Sequence, residues 1–176
     1  MKCFLNQSMV IFLLLFLVSS CTGVPKGIKP VDNFDLTKYQ GKWYEIARLD
    51  HSFERGLEQI TAQYTIKKDG DVKVNNRGFS PESNKWKQAT GNAKFVGNTN
   101  TGHLKVSFFG PFYGAYVIFY LDDNYQHAFV SGPDTSYLWL LSRAPKVSSE
   151  VLQRFIMLAN KKGFNTERLI FVKHNE

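Results

Sequence analysis

The sequence predicts an all-β, antiparallel protein, either a sandwich or an up-and-down barrel, with one helix near its C-terminus. Three observations lead there. Short runs of alternating apolar and polar residues recur along the chain, parted by clusters of Gly, Pro, Asn and Asp. Aromatic residues are abundant, with 15 Phe, 8 Tyr and 3 Trp, which favours pleated structure or a cavity lined with rings. One segment alone, after Pro145, carries apolar residues at helical spacing. A chain of 176 residues, 43% hydrophobic and 21% charged, suits one packed domain with a short remainder and excludes a disordered, collagen-like or multi-span membrane protein.

The chain opens with Lys2 and an apolar run from Met9 to Val18, followed by Ser19, Ser20 and Cys21. That run is about half the ~20 residues a membrane-spanning helix needs, so it reads as a secretory signal. Val18-Ser19-Ser20-Cys21 resembles the bacterial lipobox. The resemblance implies a lipoprotein signal peptide over 1–20, acylation of Cys21, and anchoring by several acyl chains, each methylene contributing ~0.8 kcal/mol. Thr22 after the cysteine is similar to the sorting signal for the outer membrane. With Cys3 in the signal and Cys21 acylated, no disulfide and no free thiol are expected in the mature chain. Gly23, Pro25, Gly27 and Pro30, with Lys26 and Lys29, then suit an extended tether over 21–32 that leads into one domain over 33–176.

Strands are expected near 43–49, 60–66, 72–74, 86–95, 103–109, 115–122, 127–132 and 137–143, eight in all. Lys68-Asp69-Gly70 offers a tight turn after the second. Asn and Gly between 97 and 102, Gly110-Pro111, Asp122-Asp123-Asn124 and Gly132-Pro133-Asp134 separate the later ones. Val151, Leu152, Phe155, Ile156, Leu158 and Ala159 form the apolar stripe of a helix capped by Ser148 or Ser149 and ended by Gly163, expected to lie outside the β-structure. A last short strand over 168–172 is expected at an edge.

Gly41-Lys42-Trp43, Asp122-Asp123-Asn124 and Leu141-Ser142-Arg143 stand in order at the start of the first strand, the sixth turn and the end of the eighth strand. Together they resemble the three short signatures of the lipocalin family, over 33–172, most closely its bacterial outer-membrane group and, among animal proteins, apolipoprotein D. One departure is Asn124, where the second signature has Tyr. The resemblance implies an eight-stranded up-and-down antiparallel barrel. Strand alternation then brings the three signatures to one end, where Gly41, Trp43, Asp123 and Arg143 form a floor with Arg143 stacked on Trp43.

An eight-stranded barrel is filled by side chains or holds one small ligand. The inward set is expected to run through Glu45, Ala47 and Leu49; Ala62 and Tyr64; Val72 and Val74; Ala93 and Phe95; Val106 and Phe108; Val117 and Phe119; Ala128 and Val130; and Tyr137, Trp139 and Leu141. Rings mixed with alanines leave room for an elongated apolar cavity. An acyl tail suits it, because about ten methylenes at ~0.8 kcal/mol each supply ~8 kcal/mol before ordering costs. The mouth is expected at 50–57, 79–86, 109–115 and 132–136, carrying His51, Phe53, Arg55, Phe79, Phe112, Tyr113 and Tyr137. Tyr113, Tyr137 and Trp139 are the expected ligand contacts; Phe112 and Tyr113 equally suit a membrane or a second copy of the chain.

Nothing points to catalysis: Gly-x-Ser-x-Gly, His-Glu-x-x-His and a phosphate-cradling Gly loop are all missing, and no cofactor is expected. His51, His103, His127 and His174 are scattered and read as loop or surface residues rather than metal or haem ligands. Glu45 is expected to be structural, in a floor salt bridge with an Arg or in a hydrogen-bonded role, rather than a buried proton acceptor. The balance of 22 Lys and Arg against 15 Asp and Glu gives +7, but the lysines are dispersed and no nucleic-acid partner is expected. The expectation is a membrane-anchored carrier of fatty acids or lysophospholipids in the cell envelope, as a monomer or homodimer. The rival readings are a structural lipoprotein with a filled barrel and, behind it, a haem-binding or enzymatic lipocalin.

Overall fold

The computed structural model describes residues 22–175; the expected signal peptide and Cys21 lie outside them. A one-turn helix, α1 (Leu36–Tyr39), precedes eight strands: β1 (Gly41–Arg48), β2 (Glu58–Ile66), β3 (Val72–Ser80), β4 (Lys85–Phe95), β5 (His103–Phe109), β6 (Phe112–Leu121), β7 (His127–Ser131) and β8 (Leu138–Ser142). Helix α2 (Ser149–Lys161), a 3-10 turn at Thr166–Arg168 and a two-residue strand β9 (Ile170–Phe171) follow. Each strand pairs antiparallel with the next, and β8 returns to β1, so the sheet closes into an eight-stranded up-and-down barrel. Closure leaves no long unpaired edge.

β1 pairs with β2 only over Gly41–Tyr44. Where β2 departs, β9 takes its place, with Ala47 opposite Phe171 and Arg48 opposite Ile170. The Gln59 N–H donates to the Lys173 carbonyl at 2.8 Å, so the C-terminal segment fills the seam. β3 runs well past the expected 72–74. Asn75-Asn76-Arg77-Gly78 hides its alternation, yet its ladder with β4 continues to Ser80 opposite Lys85. α1 has too few residues to show a helical period; Asp35 caps it by accepting from the Thr37 N–H at 2.9 Å.

Ser148 caps α2, as its position in the sequence suggests, and the helix lies against the outer wall of the barrel. Phe155 and Ala159 are fully buried there, and the Phe155 ring sits 5.1 Å from that of Phe129. Burial of Phe155 alone contributes roughly 1.5–3 kcal/mol. The barrel is therefore apolar on both faces along the strands that α2 covers. One core, around Trp43, Tyr64, Val72, Ile118 and Leu141, lies within it. The other, around Ile46, Val117, Phe129, Leu140 and Phe155, lies between barrel and helix.

This second core corrects four inward assignments. Ala47 and Leu49 belong to the outer core, because a bulge between Glu45 and Ala47 inserts Ile46 and reverses the parity that Trp43 sets. Val117 and Phe119 also face α2; the inward residues of β6 are Tyr116 and Ile118. From Ala115 to Leu121 both faces of β6 are apolar or aromatic, so its alternation carries no direction.

Candidate functional site

Two of the signatures, Trp43 and Arg143, meet at one end of the barrel. The Arg143 guanidinium lies 4.0 Å from the centre of the Trp43 ring. It donates to the carbonyls of Lys38, Gln40 and Lys42 at 2.8–2.9 Å and to that of Tyr125 at 3.2 Å. The Trp43 indole N–H donates to the Tyr39 carbonyl at 2.8 Å. Gly41 is required twice over: its φ is +99°, and a Cβ there would stand 3.2 Å from an Arg143 nitrogen. Asp123, by contrast, makes no bond to Arg143. The carboxylate that holds the turn is Asp122, which accepts from the N–H groups of Gln126 at 2.6 Å and His127 at 3.1 Å and pairs with the His127 ring at 2.9 Å. The tyrosine missing at 124 stands at 125, where its hydroxyl accepts from the Asp35 N–H at 2.9 Å.

Above the floor lies an interior cavity of about 100 Å³, with a wider mouth pocket of about 400 Å³ beside it. The two share Phe53, Glu54, Asn76 and Phe108 as walls. Of the expected contacts, Phe53, Ala62, Tyr64, Val74, Val106, Phe108 and Trp139 line the interior cavity. Phe95 and Val130 point inward but belong to the packed part of the inner core, Phe95 6.1 Å from the Phe34 ring. Ala47, Leu49, Val117 and Phe119 stand outside, under α2. Tyr113 is also outside the cavity, its ring 5.1 Å from the Lys105 ammonium. Tyr137 is at the mouth, stacked on His51 at 4.6 Å.

The segment 50–57 turns back over the mouth and inserts a polar cluster that the sequence reading did not assemble. Arg48, with its neighbours Glu45 and Glu54, is almost completely buried. It donates to the Glu54 backbone carbonyl at 2.9 Å and to a Glu45 carboxylate oxygen at 3.3 Å, while a Glu54 carboxylate oxygen takes the Trp139 indole N–H at 3.1 Å. Glu45 is thus paired with an arginine toward the mouth, not at the floor. Burial, and then the negative charge of Glu54, raise the Glu45 carboxyl well above its usual range. Burial also raises Glu54. Beside the single Arg48 cation, both carboxyls thus hold a proton more readily than a free carboxyl does. His51, stacked among Phe53, Tyr137 and Trp139, is pushed down to about 4 by burial and by the Arg48 charge, so it is neutral there.

A second omission lies at the inner end. Tyr39, on the unexpected α1, and Tyr116 join Tyr64 on the cavity wall, the Tyr116 hydroxyl 2.6 Å from that of Tyr39 and 2.8 Å from that of Tyr64. Tyr116 stands opposite inward Leu104 on β5, a register that the apolar run of β6 does not disclose. Among the described residues no cluster of His, Cys, Asp or Glu is placed to hold a metal ion. The site offers apolar walls for a narrow chain, a polar rim in which Arg48 faces Glu45 and Glu54, and Arg77 and Lys87 in the mouth pocket for an anionic group.

A sequence model of the lipocalin-like domain matches residues 34–174. The chain is 57% identical over 166 residues to an outer membrane lipoprotein, Blc, of Vibrio cholerae, covering 93% of this chain and 97% of that one. It is 49% identical to the protein of the same name in Escherichia coli, with 90% of each chain covered. Among solved structures, insecticyanin from the tobacco hornworm Manduca sexta aligns with a TM-score of 0.70 at 20% identity, over 88% of each chain. The closed barrel, the stacked Trp43–Arg143 floor and these matches agree: the chain belongs to the lipocalin family.

Proposed function

We propose that this lipocalin binds a single-chain lipid, a fatty acid or lysophospholipid such as one bearing a palmitoyl chain, and holds or carries it at the outer membrane. The observation that carries the reading is the interior cavity, walled by Ala62, Val72, Val74, Ala93 and Val106, and its shared walls with an aromatic and basic mouth. Small residues at inward positions leave open space where bulky ones would close it. A tail would lie inside and an anionic head near Arg77 and Lys87, since a buried anion beside Glu45 and Glu54 would lack compensation.

The placement at the outer membrane is supported by the names of the relatives and by the lipobox-like Val18–Cys21 segment, through which acylated Cys21 would anchor the chain. The expected free tether is instead packed on the barrel over 22–32, with Ile28 in the outer core, the Val31 N–H donating to the Ile118 carbonyl at 2.9 Å and Lys162 donating to the Gly27 carbonyl at 3.1 Å, so an acylated Cys21 would hold the barrel close to the membrane. The test is calorimetric titration of the delipidated chain beginning at Thr22 with palmitate and with a palmitoyl lysophospholipid. One site per barrel and a negative heat-capacity change are expected. No binding of either lipid would favour a barrel that serves only as an envelope structure.

A further inference from the structure

Three phenols meet at the inner end of the cavity, and their protons do not balance. Tyr39 and Tyr64 each share a hydrogen bond with the Tyr116 hydroxyl. Three O–H groups bring three protons, and the two bonds among them use two. Among the described residues no other group accepts from any of the three hydroxyls. The trio is compact, with ring centres 5.4 Å apart for Tyr39 and Tyr64 and 6.0 Å for Tyr64 and Tyr116. All three rings line the cavity, and burial holds all three phenols protonated, so the unused proton is a standing donor on the cavity wall.

An O–H left unpaired in such a place is costly, and an acceptor oxygen on the occupant relieves it. A carboxylate is a poor candidate, because one phenol cannot replace the water around a buried anion, and the carboxyl groups of Glu45 and Glu54 share the same wall. A neutral oxygen meets no such penalty. We propose that the hydroxyls of Tyr39, Tyr64 and Tyr116 form a subsite for a neutral acceptor oxygen, a keto, hydroxyl or epoxide group, carried along an acyl chain. Oxygenated acyl chains are then preferred over plain ones. The inference rests on the reading of the cavity as an acyl-chain site and narrows the class of chain it selects.

The experiment uses the chain beginning at Thr22, which contains every strand of the closed barrel, and measures affinity for stearic acid and for a series of keto-stearic acids differing only in the position of the keto group. A single Tyr→Phe change is uninformative, since any remaining pair of hydroxyls still has at least one unused proton. The triple variant Tyr39→Phe/Tyr64→Phe/Tyr116→Phe removes the donor and keeps the ring shapes. At one keto position the native protein is expected to bind about tenfold more tightly than it binds stearic acid, as one added hydrogen bond allows. The triple variant is expected to lose the preference, its affinities for stearic acid and for the best keto acid becoming equal whatever its affinity for stearic acid itself. In the native protein, the infrared carbonyl band of the bound keto acid is expected at lower frequency than in a hydrocarbon solvent, a readout independent of any variant. A flat affinity series, an unshifted band, or a preference kept by the triple variant each overturns the subsite while stearic acid binding still upholds the acyl-chain reading. Failure to bind stearic acid at all removes that reading, and the subsite with it.

Discussion

Enlarging one alanine on each side of the barrel wall separates the cavity from the outer core. Ala62 lines the interior cavity, whereas Ala47 lies fully buried beneath α2 after the bulge in β1. Ala62→Leu places three further carbons in the space of an acyl chain. If they displace about three methylenes at ~0.8 kcal/mol each, binding weakens by ~2.4 kcal/mol, or about sixty-fold. Ala47→Leu puts the same carbons between barrel and helix, where overpacking costs roughly 1–3 kcal/mol of stability and leaves the cavity untouched. The assays are palmitate titration and urea unfolding of both variants beside the parent. Affinity should fall only in Ala62→Leu, and stability should fall chiefly in Ala47→Leu. Loss of affinity in Ala47→Leu with Ala62→Leu unaffected would refute the parity argument and the cavity built on it.

Arg143→Met removes the stacked cation and its bonds to the carbonyls of Lys38, Gln40, Lys42 and Tyr125, and is expected to cost about 3 kcal/mol in urea unfolding. His51 has a folded pKa of about 4, below its ordinary value of 6.5, so its contribution is fully present above pH 6.5 and is lost as pH falls toward 4. The ceiling is about 3.4 kcal/mol, reduced to ~2 by screening at the mouth, and His51→Phe should flatten stability over that window. Glu45 has the opposite sign: its raised folded pKa means that stability declines by up to ~1.4 kcal/mol per pH unit as pH rises above 4.5. Glu45→Gln should reduce that decline, the raised Glu54 keeping part of it, and stabilise the protein at pH 7, both read from unfolding midpoints across a pH series.

The barrel was legible because its evidence is periodic or local: turn clusters, alternation in β2 and β5, the helical stripe of α2, and the Trp43–Arg143 pair. Parity failed where one residue is inserted, at Ile46, and where α2 makes both faces of a strand apolar, along β6. The floor was found with its turn carboxylate misplaced by one position, since adjacent aspartates at 122 and 123 look alike in sequence. The polar features of the cavity were not legible. Glu45, Arg48 and Glu54 meet only because the segment after β1 folds back over the mouth. Tyr39, Tyr64 and Tyr116 meet only because a one-turn helix brings the first of them under the barrel. Such constellations depend on long-range closure, which leaves no spacing to read.

The central claim is that the barrel carries a lipid in its interior. Native mass spectrometry of the delipidated chain beginning at Thr22, after exposure to an equimolar mixture of fatty acids, lysophospholipids, diacyl phospholipids and haem, tests it most directly. The account predicts one retained single-chain lipid per barrel, with diacyl lipids and haem excluded and with Ala62→Leu losing the adduct. A barrel that stays empty under conditions in which another lipocalin loads would contradict it.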